Sequence, residues 1–270
     1  MTHQEYQLEY EIFENSATTN SQIWFGFHGV GQNTTAFKNF AIQNNFKVYS
    51  FGLFYHEKNQ SRVLGTRATY LKNWLILMEQ FLENENINLK ENSINIIGFS
   101  LGVRPALQFI FYLSRLLSPS IFIHKIILIA PETLAISNWY RLGTQTFLGK
   151  FIFKKITSSS YFKKIIVFIS FLFFSKKAQQ LIRYQIYNGL NSLASAWVAY
   201  RSFEIYGRQW REISEKQKGK IMIVGSKNDN FVRLKKIKKF VRKNSFDKGK
   251  SIHWVISNSA HANLLREFKI

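Results

Sequence analysis

A serine between two glycines lies where an apolar run meets a helical pattern. Gly98, Ser100 and Gly102 belong to the stretch GFSLG, which joins a predicted buried strand at 93–99 to a predicted helix at 101–117. A serine on such a sharp strand-to-helix turn exposes its hydroxyl, and the glycines let neighbouring backbone approach closely. The start of the helix also directs free N–H groups at the same place. The pattern predicts a nucleophile at Ser100; the alternative is an ordinary turn in which Ser100 caps the helix.

A serine nucleophile needs a base, and the chain has six histidines. His261 directly follows the last predicted strand, where a loop can bring its imidazole to the strand ends near Ser100. An acid is needed to orient that imidazole, and the only aspartates are Asp229 and Asp247. Asp229 follows an apolar run, whereas Asp247 lies in a polar stretch. We therefore predict His261 as the base and Asp229 as the acid, with a simple turn residue as the alternative role for Asp229.

Apolar runs typical of strands alternate with helical patterns along most of the chain. The predicted strands cover residues 6–13, 22–27, 46–54, 93–99, 125–130, 220–224 and 251–256, and the predicted helices cover 67–85 and 101–117. Such alternation predicts an α/β fold with a mostly parallel central sheet flanked by helices.

One long segment departs from this alternation. Between residues 133 and 218 the pattern is that of several helices, rich in aromatic and basic side chains. We predict that this segment is a helical cap, or lid, inserted into a core domain made of residues 1–132 and 219–270.

These features together resemble the α/β-hydrolase superfamily, in its lid-bearing esterase, lipase and thioesterase-like branches. The order of Ser100, Asp229 and His261 along the chain is similar to the nucleophile, acid and base order of that family. The likeness implies a serine hydrolase that cleaves a carboxylic ester or thioester of a small-molecule acyl substrate through an acyl-enzyme at Ser100. It implies no metal and no organic cofactor.

An early turn adds to the resemblance. The stretch from His28 through Gly29 and Val30 to Gly31 resembles the oxyanion loop of the same family. The likeness implies that the backbone N–H groups of Val30 and Leu101 hold the negative oxygen of a tetrahedral intermediate.

Composition limits the other possibilities. The chain of 270 residues contains no cysteine, which excludes disulfides and thiolate catalysis. Its longest apolar run, 165–174, is too short to span a bilayer, and its first residues do not resemble a signal peptide. We therefore expect a cytoplasmic protein. The formal net charge of +21 suggests an anionic partner, with a general compositional bias as the alternative.

The predicted cap concentrates this positive charge. Between residues 141 and 177 there is no acidic side chain, and eight basic residues alternate with nine aromatic ones. One interpretation is peripheral contact with an anionic membrane at its inner face. The other is that the apolar face packs over the active site and lines an acyl pocket, with the lysines in solvent. Both suit an apolar or lipid-like substrate, and no nucleic-acid partner is expected.

Two other functions remain open at this point. An acyltransferase would use the same three residues but pass the acyl group to an alcohol or amine. A non-catalytic protein of the same fold would bind an anionic membrane or a partner through its basic cap.

Overall fold

The computed structural model describes residues 8–14, 22–53, 71–116, 123–135, 146–173, 179, 183, 186, 198–199, 202–229 and 231–269. Within these residues, seven strands form one central sheet in the order β1-β3-β2-β4-β5-β6-β7. They are β1 (Tyr10–Phe13), β2 (Ile23–Phe27), β3 (Lys47–Phe51), β4 (Ile94–Phe99), β5 (Ile123–Ile129), β6 (Ile221–Ser226) and β7 (His253–Ser257).

All neighbouring strands are parallel except β1, which runs antiparallel to β3. Parallel sheets are covered on both faces, so their strands are continuously apolar. Strand β4 shows this most clearly, because all six of its residues are buried. The predicted mostly parallel sheet is confirmed.

Eight α-helices of the described residues surround or extend from the sheet. They are α1 (Lys38–Asn44), α2 (Leu71–Asn84), α3 (Val103–Leu116), α4 (Phe147–Ser158), α5 (Ser160–Phe173), α6 (Gly207–Lys216), α7 (Leu234–Asn244) and α8 (Leu264–Glu267). Single 3₁₀ turns precede α1, α3 and α8. Where the structure describes the chain, its helices lack the length and apolar character needed to cross a bilayer.

Most predicted elements occur close to their expected bounds. The predicted helix at 67–85 corresponds to α2, and its first residues lie outside the described part of the chain. Helix α2 buries Trp74, Met78 and Phe81, a spacing that places the three side chains on one face. Helices α1 and α7 are additions to the prediction. In α7 only Ile237 and Val241 are buried, and the lysines around them obscure the apolar stripe.

The segment between β5 and β6 contains α4, α5 and α6. Helix α6 contacts α3 and α7, and its Trp210 and Ile213 belong to the main hydrophobic core. The Trp210 indole N–H also donates to the Ser245 hydroxyl at 2.8 Å. Helix α6 therefore packs with the sheet domain, although it lies inside the segment that the sequence assigns to the cap.

Candidate active site

Ser100 lies on a strained turn directly after β4. Its φ of 52° is in the left-handed region, which costs a residue with a side chain about 1–2 kcal/mol. The turn is possible because Gly98 and Gly102 have no Cβ. A Cβ on Gly98 would lie 2.9 Å from the Val103 Cα, and one on Gly102 would lie 2.1 Å from the Phe27 carbonyl oxygen. The two glycines therefore allow α3 and β2 to approach the serine.

The imidazole of His261 lies between Ser100 and Asp229. The Ser100 hydroxyl is 3.0 Å from Nε2, and Nδ1 is 2.6 Å from a carboxylate oxygen of Asp229. With Nδ1 protonated, His261 donates to Asp229 and its Nε2 accepts from Ser100. The structure thus brings together all three side chains predicted from the sequence, and the serine hydroxyl is within reach of a base.

The carboxylate of Asp229 is buried and held by three donors. Its Oδ1 accepts the backbone N–H groups of Phe231 and Val232, each at 2.8 Å, while Oδ2 accepts from His261. Burial raises the pKa of this carboxyl, but the hydrogen bonds from His261 and from the two amides outweigh it, so the pKa lies below its usual range. Asp229 therefore remains ionised at neutral pH.

The lowered pKa of Asp229 predicts an acid-dependent loss of stability. A carboxyl whose pKa is lower in the folded protein than in the unfolded chain stabilises the folded state when it is ionised. For aspartate this contribution is complete above the pKa of the unfolded chain, about 3.9, and it is lost as the pH falls through the lower pKa of the folded protein. We expect the difference in free energy of unfolding between wild type and Asp229→Asn to shrink as the pH is lowered from about 4. Urea denaturation at a series of pH values measures this, and a difference that does not change with pH would contradict it.

Hydrogen bonds tie the loop that carries Asp229 to the loop that carries His261. The Ser226 hydroxyl donates to the Ser259 carbonyl at 2.6 Å, and the Asn228 side chain donates to the Asn258 carbonyl at 2.6 Å. Both loops follow neighbouring parallel strands, β6 and β7. The acid and the base are therefore held in register by backbone and side-chain contacts as well as by their own hydrogen bond.

The turn from His28 to Gly31 lies against the serine. A Cβ on Gly29 would be 3.2 Å from the Cβ of Ser100, so the backbone at Gly29 lies close to the serine. His28 itself is buried: its Nε2 accepts the backbone N–H of Leu53 at 3.2 Å, and its Nδ1 lies 2.9 Å from the Gly29 carbonyl. These contacts use both ring nitrogens to hold the turn, which makes His28 a structural residue.

A small apolar cluster includes Leu101, the residue that follows Ser100. Leu53, Leu101 and Ala199 form a small buried cluster, and Val30 packs against it. Ala199 comes from the segment between α5 and α6. A residue of the segment between β5 and β6 therefore belongs to the same cluster as Leu101, the residue that follows Ser100.

An ion pair that the sequence analysis missed lies behind the serine turn. Arg104, in the first turn of α3, is fully buried, and its Nε lies 3.6 Å from a carboxylate oxygen of Glu132. Burial lowers the pKa of Arg104 and raises that of Glu132, and the attraction between the two groups opposes both shifts. The only signals in the sequence are an arginine within an apolar helix and a glutamate just after a buried strand.

Arg104→Met should lower the free energy of unfolding by about 3–5 kcal/mol, because it leaves the Glu132 carboxyl, whose side chain is only 15% exposed, without the guanidinium beside it. Arg115→Met is the matched control, since Arg115 lies on the same helix and pairs with Glu212 at the surface; its loss should be much smaller. Adding Glu132→Gln to Arg104→Met should recover part of the loss. Urea denaturation measures all three, and equal losses for the two arginines would contradict the prediction.

The described residues offer no metal site, because no three or more histidine, aspartate or glutamate side chains among them are grouped as ligands would be.

Solved structures of known proteins resemble this chain, whereas comparison of its sequence with known proteins finds no match. No family model and no curated protein matches the chain. The α/β hydrolase MGS-M2 from a Medee basin deep-sea metagenome library is 16% identical, with a TM-score of 0.58 over 97% of this chain and 91% of its own.

Two further solved structures are similar over almost the whole chain. A structure from a study of carboxylesterases of the thaumarchaeon Nitrososphaera gargenis is 14% identical, with a TM-score of 0.60 over 97% of this chain and 89% of its own. The enol-lactonase from Burkholderia xenovorans LB400 is 11% identical, with a TM-score of 0.55 over 96% of this chain and 91% of its own. With its sheet order and its serine turn, the chain has the α/β-hydrolase fold.

Proposed function

We propose that the protein is a serine hydrolase that cleaves a carboxylic ester or thioester through an acyl-enzyme at Ser100. The observation that carries this proposal is the continuous hydrogen-bonded series from Ser100 through His261 to Asp229. A serine hydroxyl becomes an effective nucleophile only when a base removes its proton, and this series provides the base and the group that orients it.

The first half of the reaction forms the acyl-enzyme. The Ser100 oxygen attacks the acyl carbonyl while its proton passes to Nε2 of His261, and Asp229 stabilises the resulting imidazolium. The imidazolium then donates this proton to the leaving alcohol or thiol as the bond to it breaks. In the second half, a water molecule loses a proton to His261 as it attacks the acyl carbonyl. The imidazolium then returns that proton to the Ser100 oxygen as the acid leaves, which regenerates the serine hydroxyl.

The backbone N–H groups of Val30 and Leu101 are the proposed oxyanion donors. Leu101 lies in the first turn after β4, where helix N–H groups have no acceptor within the helix. Val30 follows Gly29, whose backbone lies against Ser100. Two such donors near the attacked carbonyl would stabilise the negative oxygen, and removal of one donor typically costs about 3 kcal/mol of transition-state stabilisation.

An apolar acyl group is the proposed substrate feature. The cluster of Leu53, Leu101 and Ala199, with Val30 against it, offers apolar contact next to the nucleophile, where an acyl chain would lie. The enol-lactonase and the carboxylesterases among the similar structures act, by their names, on carboxylic ester bonds, in line with the proposed bond type.

We further propose that the segment between β5 and α6 acts as a cap over this site. The burial of Ala199 against Leu53 and Leu101 supports that role. Helix α6 is excluded from the proposed cap, because Trp210 and Ile213 belong to the core of the sheet domain. The cap proposed here is therefore shorter than the segment 133–218.

A fluorophosphonate probe tests the proposal. We expect one covalent adduct per chain, located on Ser100 by peptide mass spectrometry, and a matching loss of hydrolysis of p-nitrophenyl esters. A series of acyl lengths should show faster turnover for longer apolar chains than for acetate. Absence of both labelling and hydrolysis would favour the non-catalytic alternative, and acyl transfer to an added alcohol that outcompetes water would favour the acyltransferase.

A further inference from the structure

Helices α4 and α5 expose an unusual number of apolar side chains. Of the sixteen large hydrophobic residues that are exposed among the described ones, eight lie on these two helices. They are Phe147, Leu148, Phe151, Tyr161, Phe168, Ile169, Phe171 and Leu172. A concentration of exposed apolar side chains on two helices that contact each other is typical of a surface that binds a partner or a membrane.

The exposed residues follow the helical repeat on each helix. On α4, Phe147, Phe151 and Lys155 are spaced four residues apart and are all exposed, so they lie on one face. The two helices also contact each other. We call the exposed residues of α4 and α5 the hairpin face.

On α5, four exposed positions are spaced by three or four residues, from Tyr161 through Lys164 and Phe168 to Phe171, and Ile169 and Leu172 next to them are exposed as well. Ser170, which lies off this row, is 2% exposed. The exposed fractions of Tyr161 and Phe171 are 74% and 70%, and that of Phe147 on α4 is 88%. Aromatic rings this exposed are available to enter another apolar phase.

The part of the sequence that contains the hairpin face carries charge of one sign. From residue 133 to residue 203 the chain contains no aspartate or glutamate, and it contains ten lysines and arginines. Lys155 and Lys164 are exposed on the hairpin face itself, and the Lys155 ammonium lies 5.7 Å from the centre of the Phe151 ring. Ammonium groups beside exposed rings match the boundary of an anionic bilayer, where the rings enter the acyl region and the ammonium groups meet the phosphates.

We propose that the hairpin face docks on an anionic lipid bilayer, with α4 and α5 lying in the plane of its surface. With 12 and 14 residues, each helix is shorter than the roughly 20 residues needed to span a bilayer, which favours an interfacial position. The docking does not depend on the chemistry proposed for Ser100, so vesicle binding and ester hydrolysis can succeed or fail separately.

Sedimentation of the full-length chain with vesicles tests the proposal. Vesicles of phosphatidylcholine with phosphatidylglycerol should pellet the protein, and vesicles of phosphatidylcholine alone should pellet much less. Replacing Phe147, Phe168 and Phe171 together by serine should weaken binding to the anionic vesicles by about tenfold or more. Lys155→Gln with Lys164→Gln should weaken it by about tenfold and reduce its salt dependence.

Helix α7 supplies a matched control for charge alone. Lys236, Lys239 and Lys243 on α7 are exposed, and this helix has no exposed large hydrophobic residue. Replacing these three lysines by glutamine removes three positive charges, whereas Lys155→Gln with Lys164→Gln removes two. The α7 variant should nevertheless bind vesicles at close to the wild-type level. Because every substituted residue lies on the surface, circular dichroism should show unchanged folding in all variants.

Three results would overturn the proposal. The first is equal pelleting with and without phosphatidylglycerol, and the second is a loss for the α7 variant as large as that for the aromatic variant. The third is an absence of vesicle binding by a wild-type protein that elutes as a dimer in size-exclusion chromatography, while the aromatic variant elutes as a monomer. That result would assign the hairpin face to a second copy of the chain.

Discussion

Ser100→Ala should lower kcat for ester hydrolysis by about a million-fold, the size of loss known for removal of a serine nucleophile from such a hydrogen-bonded series. The hydroxyl 3.0 Å from His261 Nε2 is the group that would form the acyl bond, and alanine has no atom to replace it. The variant should also lose all labelling by the fluorophosphonate. Steady-state kinetics with p-nitrophenyl esters and intact-protein mass spectrometry measure the two effects.

Ser100→Gly separates the chemical role of Ser100 from its backbone strain. At a φ of 52° glycine is unstrained, whereas alanine keeps the strain of serine. The glycine variant should therefore be as inactive as the alanine variant but more stable than it, by about 1 kcal/mol. Retained turnover in either variant would remove Ser100 from the mechanism. Lost activity with a large fall in stability in both variants would point to a structural role instead.

Asp229→Asn should lower kcat by about ten-thousand-fold while leaving KM close to the wild-type value. The amides of Phe231 and Val232 donate to one carboxylate oxygen, so an asparagine would place its own oxygen there. Its NH₂ group would then face Nδ1 of His261, which would have to accept instead of donate. The ring proton would move to Nε2, and His261 could no longer take the proton of Ser100.

Asp247→Asn is the matched control, because Asp247 is the other aspartate of the chain. Its carboxylate also accepts backbone N–H groups, from Gly249 at 2.9 Å and from Ser251 at 2.7 Å, and both of these hydrogen bonds lie within its own loop. This variant should keep kcat near the wild-type value. Comparable losses for the two aspartates would contradict the role proposed for Asp229.

The serine turn could be predicted because all its parts are contiguous in sequence. A buried strand, two glycines and a helix lie within about 25 residues of Ser100, and each part has a local pattern. The partners of Ser100 were predicted less directly, from the residues that follow later strands. His261 lies 161 positions beyond Ser100 and 32 beyond Asp229, and only the sheet order brings these strand ends together.

The features that were missed are contacts between elements distant in sequence. The pair of Arg104 and Glu132 joins a helix to the end of the neighbouring strand. The local sequence around either residue does not indicate that the other is its partner. The packing of α6 is a further contact of this kind, because its pattern is that of any amphipathic helix. Its packing partners, α3 and α7, are set by the fold and not by the periodicity of α6.

The sequence alone determined the alternation of strands and helices, the position of the serine turn and the types of residue available as acid and base. These follow from hydrophobic periodicity and glycine placement, which act over a few residues. The tertiary structure alone decided that three side chains meet within hydrogen-bonding distance, that Asp229 is buried and ionised, and that the aromatic face of α4 and α5 is exposed. Distances, burial and exposure depend on which surfaces pack together, and that is a property of the whole folded chain.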